Sequence, residues 1–193
     1  MPPPFTWIGP LFWIAFAWAV AGELPFMRRD GLTTTAVTDR GSKNLLLITT
    51  AASVVVAFVI AVTLPHFAVR SLRFAVYLAG VFCIVAGGWL RRHCFRMLGE
   101  SFSYDVSVAS GQRVVDRGAY KYVRHPSYTA GLLIYAGIGL SLCNRLSIAV
   151  TIVPALAAYG YRITVEERAL VSTLGPAYAD YSRRTKRLIP FLI

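Results

Sequence analysis

Five stretches of this chain are too apolar for too long to remain in water: residues 5–24, 45–64, 72–90, 129–143 and 146–163. At about 1.5 Å per residue, a helix of some 20 residues crosses a ~30 Å hydrocarbon layer, and most of these stretches approach that length. Backbone polar groups inside lipid must be satisfied within the segment, so helices are the natural solution. The expected fold class is an all-α integral membrane protein, a bundle of about five transmembrane helices. The fourth stretch is short for a crossing, and only Asn144 and Arg145 separate it from the fifth. These two are predicted to form a tight antiparallel hairpin. Composition agrees, with 56% of 193 residues hydrophobic and 15% charged, and the length suits one domain.

The charges supply an orientation. No Lys or Arg precedes the first stretch, whereas Arg28 and Arg29 follow it, the reverse of a secretory signal. Threading five spans with the N-terminus outside leaves only Arg70, Arg73 and Arg145 in the outer loops. The other 17 of the 20 Lys and Arg fall on the inner side, as the positive-inside rule requires. The expectation is a multi-pass protein, in a prokaryotic cell membrane given the short chain, with a cytoplasmic C-terminus. The net charge of +11 therefore reads as topology and not as a nucleic-acid surface. Cys83, Cys94 and Cys143 form no CxxC pair, so no zinc or disulfide framework is expected, and no metal. HExxH, Walker and GxSxG motifs are missing, and Gly137 and Gly139 lie in an apolar helix with no strand before them.

Nearly all polar residues belong to two inner segments, 91–128 and 162–193. In the first, "YKYVRHPSYTAG" at 120–131 sets Arg124, His125 and Pro126 before an apolar run. Proline is favoured at the first helical position, which makes His125 the cap and puts Ser127 and Tyr128 in the first turn. Two readings stand: a basic collar at the headgroups, or an anion site built on the free N–H groups of a helix start. In the second segment, Arg162 and Glu166 are spaced i, i+4, and Glu167 points away from Glu166. Either these are a helix ion pair and a solvated acid, or they meet the cation and anion of a ligand. The stretch from Leu170 through Val171, Leu174, Tyr178 and Tyr181 to Arg183, Arg184, Lys186 and Arg187 suggests an amphipathic helix lying on the inner leaflet. Glu23, near the end of the first stretch, is expected to reach water at the interface.

Taken together, "LGESFS" at 98–103, "GQRVVDRGAYKYVRHPSYTAG" at 111–131, "RITVEERAL" at 162–170 and "LGPAYADYSRRTKRLIP" at 174–190 resemble the isoprenylcysteine carboxyl methyltransferases and the related phospholipid methyltransferases. The first 90 residues match only as membrane helices. The resemblance implies one transmembrane domain over 1–193, with three N-terminal spans in 1–90 and a cofactor-binding half in 91–193. It implies S-adenosyl-L-methionine (SAM) held at the cytosolic face, S-adenosyl-L-homocysteine as product, and a lipophilic small-molecule or prenylated acceptor entering from the bilayer. Carried over by motif, Gln112, Arg113, Val114, Val115, Tyr120, His125, Pro126, Ser127, Tyr128 and Glu166 would contact SAM, and Arg162 would face the acceptor.

Methyl transfer asks mainly for alignment and exclusion of water. A carboxylate acceptor is already ionised and needs no base, whereas an amine must lose a proton, for which Glu167 is the nearest candidate. The sequence leaves both open, so Arg162 and Glu167 are the candidate catalytic residues. Rival readings are an NADPH-dependent membrane reductase and a non-enzymatic membrane scaffold or transporter. Against a transporter, no charge lies well inside a span.

Overall fold

The computed structural model describes residues 1–25, 41–99 and 114–189. Six α-helices lie within these residues: α1 Gly9–Ala21, α2 Ser42–Thr63, α3 Arg73–Leu98, α4 Pro126–Ser141, α5 Arg145–Leu174 and α6 Pro176–Arg184. Three of them, α2, α3 and α5, are long and apolar enough to cross a membrane. Ile48, Val55, Val62, Phe82 and Val153 are exposed on these helices, an outward apolar surface suited to lipid.

The first stretch departs from expectation. Its helix has 13 residues, about 20 Å of rise, and begins four residues later than the apolar sequence does. The cause is local. Pro10 fits only in the first turn of a helix, so α1 starts at Gly9, and Pro3–Phe5 close ahead of it as a 3-10 turn, with Thr6 donating its hydroxyl to the Pro3 carbonyl at 2.7 Å. Helix α4, at 16 residues, is likewise shorter than a simple crossing, but it begins at Pro126 as the sequence predicts.

The expected hairpin forms, and one side chain explains it. Asn144 Oδ1 accepts from the N–H groups of Leu146 and Ser147 at 3.0 and 3.2 Å, capping α5. Its Nδ2 donates to the Leu64 carbonyl at 3.0 Å, tying the turn to the end of α2. Ser147 adds a bond to the Ala57 carbonyl at 2.8 Å, so α5 runs along α2.

Helix α4 packs chiefly along α3. Where they cross, a Cβ on Gly80 would come within 2.7 Å of the Gly137 carbonyl, and one on Gly137 within 2.6 Å of the Gly80 carbonyl. The two backbones therefore touch, the close approach that small residues permit between membrane helices. Gly137, read in the sequence only as half of a G-x-G, is thus a packing residue. Helix α1 leans on the outer side of α3. Tyr77 is fully buried there, donating to the Ile8 carbonyl at 2.7 Å and accepting from Phe12 N–H at 3.1 Å. Together these contacts carry the start of α4, the last third of α5 and the tail to one end of the bundle.

Candidate functional site

Pro126 occupies the first position of α4 and His125 its cap, 3% exposed. The helix start is less open than its sequence suggests. Arg124 and His125 donate their backbone N–H groups to the carbonyls of Lys186 and Arg187 at 2.7 and 3.0 Å, and Lys186 N–H returns to the Tyr122 carbonyl at 3.1 Å. The tail lies beside residues 122–125 as a short parallel strand-like pair. Tyr128 and Thr129 N–H both turn back to the His125 carbonyl. Ser127 alone in this turn keeps an N–H with no backbone acceptor among the described residues.

Arg162, Glu166 and Tyr128 meet at the next layer. The Tyr128 hydroxyl donates to Glu166 Oε2 at 2.5 Å and accepts from Arg162 Nε at 3.0 Å, bridging the i, i+4 pair instead of leaving it in direct contact. Arg162 is 5% exposed and also donates to Ser42 Oγ at 3.0 Å, which brings the start of α2 into the site. His125 stacks flat against Tyr128, rings 5.4 Å apart at 2°, and its two nitrogens stand between the carboxylates: Nδ1 is 3.7 Å from Glu166 and Nε2 3.3 Å from Glu167.

Glu167 is neither solvated nor idle. Oε1 accepts from Arg124 Nε at 2.8 Å, and Oε2 faces Arg187 Nη2 at 3.0 Å. Arg124 continues to the carbonyls of Ser182 and Thr185, at 2.8 and 2.5 Å. The pair therefore joins α4, α5 and the tail, and a carboxylate so surrounded by cationic partners is held as an anion.

The tail also differs from the predicted surface helix. Leu170, Val171 and Leu174 belong to α5, and only Pro176–Arg184 form α6. Its aromatic face turns onto protein: Tyr178 and Tyr181 are each 4% exposed, and the Tyr181 hydroxyl donates to the Tyr120 carbonyl at 2.7 Å. Burial pushes Tyr181 up to about 12. Burial also holds Tyr120 and Tyr178 well above the usual tyrosine value, with Glu166 near both. The hydroxyls of Tyr120 and Tyr178 are enclosed yet have no hydrogen-bond partner among the described residues. Orphaned buried hydroxyls cost free energy unless a water or a ligand satisfies them.

Of the residues singled out in the sequence, the structure gathers Tyr120, His125, Pro126, Ser127, Tyr128, Arg162, Glu166 and Glu167. Val114 and Val115 are half-buried in the preceding loop. Gln112, Arg113, Arg28, Arg29 and residues 100–103 of "LGESFS" lie outside the described residues. Ser42 and Arg91 carry no signal in the sequence, while Tyr178 and Glu23 were expected only as a tail residue and an interfacial acid. Glu23 does not simply reach for water. It pairs with Arg91 at 2.6 Å, and Arg91 donates to the Ser127 carbonyl at 3.0 Å. A sequence separation of 68 residues hides that link.

Residues 78–172 match the isoprenylcysteine carboxyl methyltransferase (ICMT) family. Over this segment, just under half of its length, the chain is similar to that family. The matched residues include α4, the HPSY turn and both glutamates. Among similar ICMT proteins is protein-S-isoprenylcysteine O-methyltransferase B of Arabidopsis thaliana, 30% identical over 115 residues, which cover 58% of each chain. The protein-S-isoprenylcysteine O-methyltransferase of Schizosaccharomyces pombe is 32% identical over 133 residues, 66% of this chain and 55% of that one. The chain thus spans a little over half the length of these curated relatives. The structure of a eukaryotic intramembrane Ras methyltransferase, itself an ICMT, superposes with a TM-score of 0.68 at 22% identity. That match covers 99% of this chain and 68% of the other, so the ICMT fold runs through helices well outside the segment of family sequence.

Proposed function

We propose that this chain is a SAM-dependent methyltransferase acting on the carboxylate of a lipophilic, isoprenylcysteine-like acceptor. The observation that carries the reading is the pair of enclosed hydroxyls of Tyr120 and Tyr178, neither with a partner at hydrogen-bonding geometry among the described residues, near Glu166 and the first turn of α4, where the Ser127 N–H lacks a backbone acceptor. SAM has an ammonium, a carboxylate and hydroxyl-bearing ribose, and such a set of groups fits it. Glu166 would take the ammonium, and the Ser127 N–H at the positive end of α4 the carboxylate. Tyr120, Tyr178, His125, Pro126, Val114 and Val115 would line the remainder, with Gln112 and Arg113 assigned there by motif. When bound, SAM supplies an activated methyl group on a sulfonium sulfur.

The chain's own residues have a limited task. A carboxylate acceptor arrives ionised near neutral pH, so no proton has to be removed. Arg162 would align it by charge-assisted hydrogen bonds. The Ser42 and Tyr128 contacts keep Arg162 in one orientation, and the buried Tyr159 beside Tyr128 helps exclude water. Glu167 would be a positioning residue. With Arg124, Arg187 and His125 on its oxygens it is a weak base, which disfavours an amine acceptor and the base role considered above. We further propose five crossings in all, with the N-terminus outside and the site on the cytosolic face, in line with the distribution of Lys and Arg.

The test is calorimetric titration of the detergent-purified protein with SAM and S-adenosyl-L-homocysteine, alongside Glu166→Ala and His125→Ala. Micromolar binding by the parent, lost in both variants, is expected. A folded parent that binds neither compound would overturn the proposal. Positive binding is followed by an acceptor screen, in which farnesyl- or geranylgeranyl-cysteine should consume SAM and lipid amines should not.

A further inference from the structure

The end of α3 carries a second cationic cluster that the methyl-transfer reading does not use. Trp89, Arg92, His93 and Arg96 recur at i, i+3, i+4 and i+7, so they share one side of the helix. They face Trp18, Ala21 and Gly22 of the α1 end across a cleft of about 480 Å³. Arg92 lies over the Trp18 ring, 3.5 Å from its centroid, and donates Nη2 to the Trp18 carbonyl. Its Nη1 has no acceptor among the described residues. The His93 ring is stacked on Trp89 at 7°, and His93 and Arg96 are exposed. Glu23, a nearby carboxylate, is engaged by Arg91 at 2.6 Å and faces Arg92 as well, so it offsets part of the cleft's positive charge.

We infer that this cleft binds the phosphate-bearing headgroup of an anionic phospholipid. Two arginines offer the charge and His93 a ring nitrogen, and Arg92 Nη1 offers a donor that a phosphate oxygen would satisfy. A free inorganic anion shares that chemistry, but the walls favour a lipid. Trp18 and Trp89 are 42% and 62% exposed at the mouth, the amphipathic rings typical of the headgroup level. From them an exposed apolar track runs back along both helices, through Leu11 and Ile14 on α1 and Phe82 and Val85 on α3. A charged cleft continuous with two lipid-facing stripes has the shape of a lipid: head below, chains above. Arg91 and Arg92 then divide the work of neighbouring positions, one turned to Ser127 of α4, the other to the cleft.

The experiment uses the full chain in a neutral detergent, with phosphatidylglycerol and phosphatidylcholine of identical acyl chains. Retention is read by native mass spectrometry, and contact by quenching of tryptophan fluorescence with brominated chains. Phosphatidylglycerol should be retained about tenfold over phosphatidylcholine, as expected for two arginines near a lipid surface. The Arg92→Gln/Arg96→Gln pair should erase that preference, and Arg92→Lys/Arg96→Lys should keep most of it. Equal retention of the two lipids by the parent, or a preference that survives the glutamine pair, overturns the inference. Inorganic phosphate that displaces the lipid at millimolar concentration identifies a soluble-anion site instead, and also overturns it. Should the glutamine pair fail to fold, the comparison of the two lipids on the parent still decides.

Discussion

Between Ala130 and Ser141, helix α4 meets α3 through carbonyls and glycine hydrogens. In its first turn the same helix meets α5 and the tail through charges and hydroxyls. The upper seam depends on shape: a Cβ at Gly137 would meet backbone at 2.6 Å and the Ile84 side chain at 2.8 Å, and no polar side chain could relieve it. The lower knot depends on direction, because Tyr128, Arg124 and Glu167 each serve at least two partners. A seam of this kind fails by volume and is indifferent to which ligand is present. A knot fails by the loss of a single hydrogen-bonding atom, and a ligand can reinforce it. On the proposed function, ligand recognition is confined to the knot, whereas the seam serves stability alone.

Substitutions in the two halves should accordingly separate binding from folding. Glu166→Gln keeps the shape but removes the charge. It should weaken SAM binding about 100-fold, the ~2.7 kcal/mol of a charge-assisted hydrogen bond, with the melting temperature nearly unchanged. Calorimetry and a thermal scan on one preparation read both, and a large melting shift would join the two halves after all. Gly137→Leu should do the opposite, costing about 2 kcal/mol of stability from overpacking while the protein that remains folded binds SAM normally. Arg124→Ala comes next, at about 1.5 kcal/mol, since it removes the bonds to Glu167, Ser182 and Thr185 but leaves Arg187 and His125 on the carboxylate. Limited proteolysis should show the tail cut first in that variant. The smallest effect belongs to Arg187→Ala. Its side chain is half exposed, so the loss should stay under about 1 kcal/mol and shrink further in high salt. If Arg187→Ala proved as damaging as Arg124→Ala, the knot would be centred on the tail and not on α4.

Much of the lower knot could be read from the sequence because its signals are local. Pro126 fixes a helix start, the spacing of Arg162 and Glu166 fixes a shared face, and two residues between apolar runs fix a hairpin. The tail was misread for a physical reason. Alternating tyrosines and cations look the same whether the tyrosines face lipid or protein, and pairing of Lys186 with Tyr122 and Arg124 leaves no periodic trace. Tertiary choices of this kind are decided by what lies opposite. The same holds for Glu23 with Arg91 and for Ser42 with Arg162, pairs separated by 68 and 120 residues. Helix α1 was overestimated because hydropathy runs straight through Pro10, which is accommodated only in a first turn and so sets the helix start four residues later.

The strand-like pairing of residues 122–125 with 186–187 also bears on biosynthesis. These two segments can meet only after the hairpin between them has come back to the end of the bundle from which it left. A hairpin stranded halfway, or a helix inserted in the wrong sense, would leave Lys186 and Tyr122 on opposite surfaces and the glutamates without their arginines. On the five-crossing topology proposed above, closure of the candidate site would be a readout of correct insertion, made once the segment around residue 186 is free to pair. A protein folded this way would acquire its candidate site and its topology in the same event.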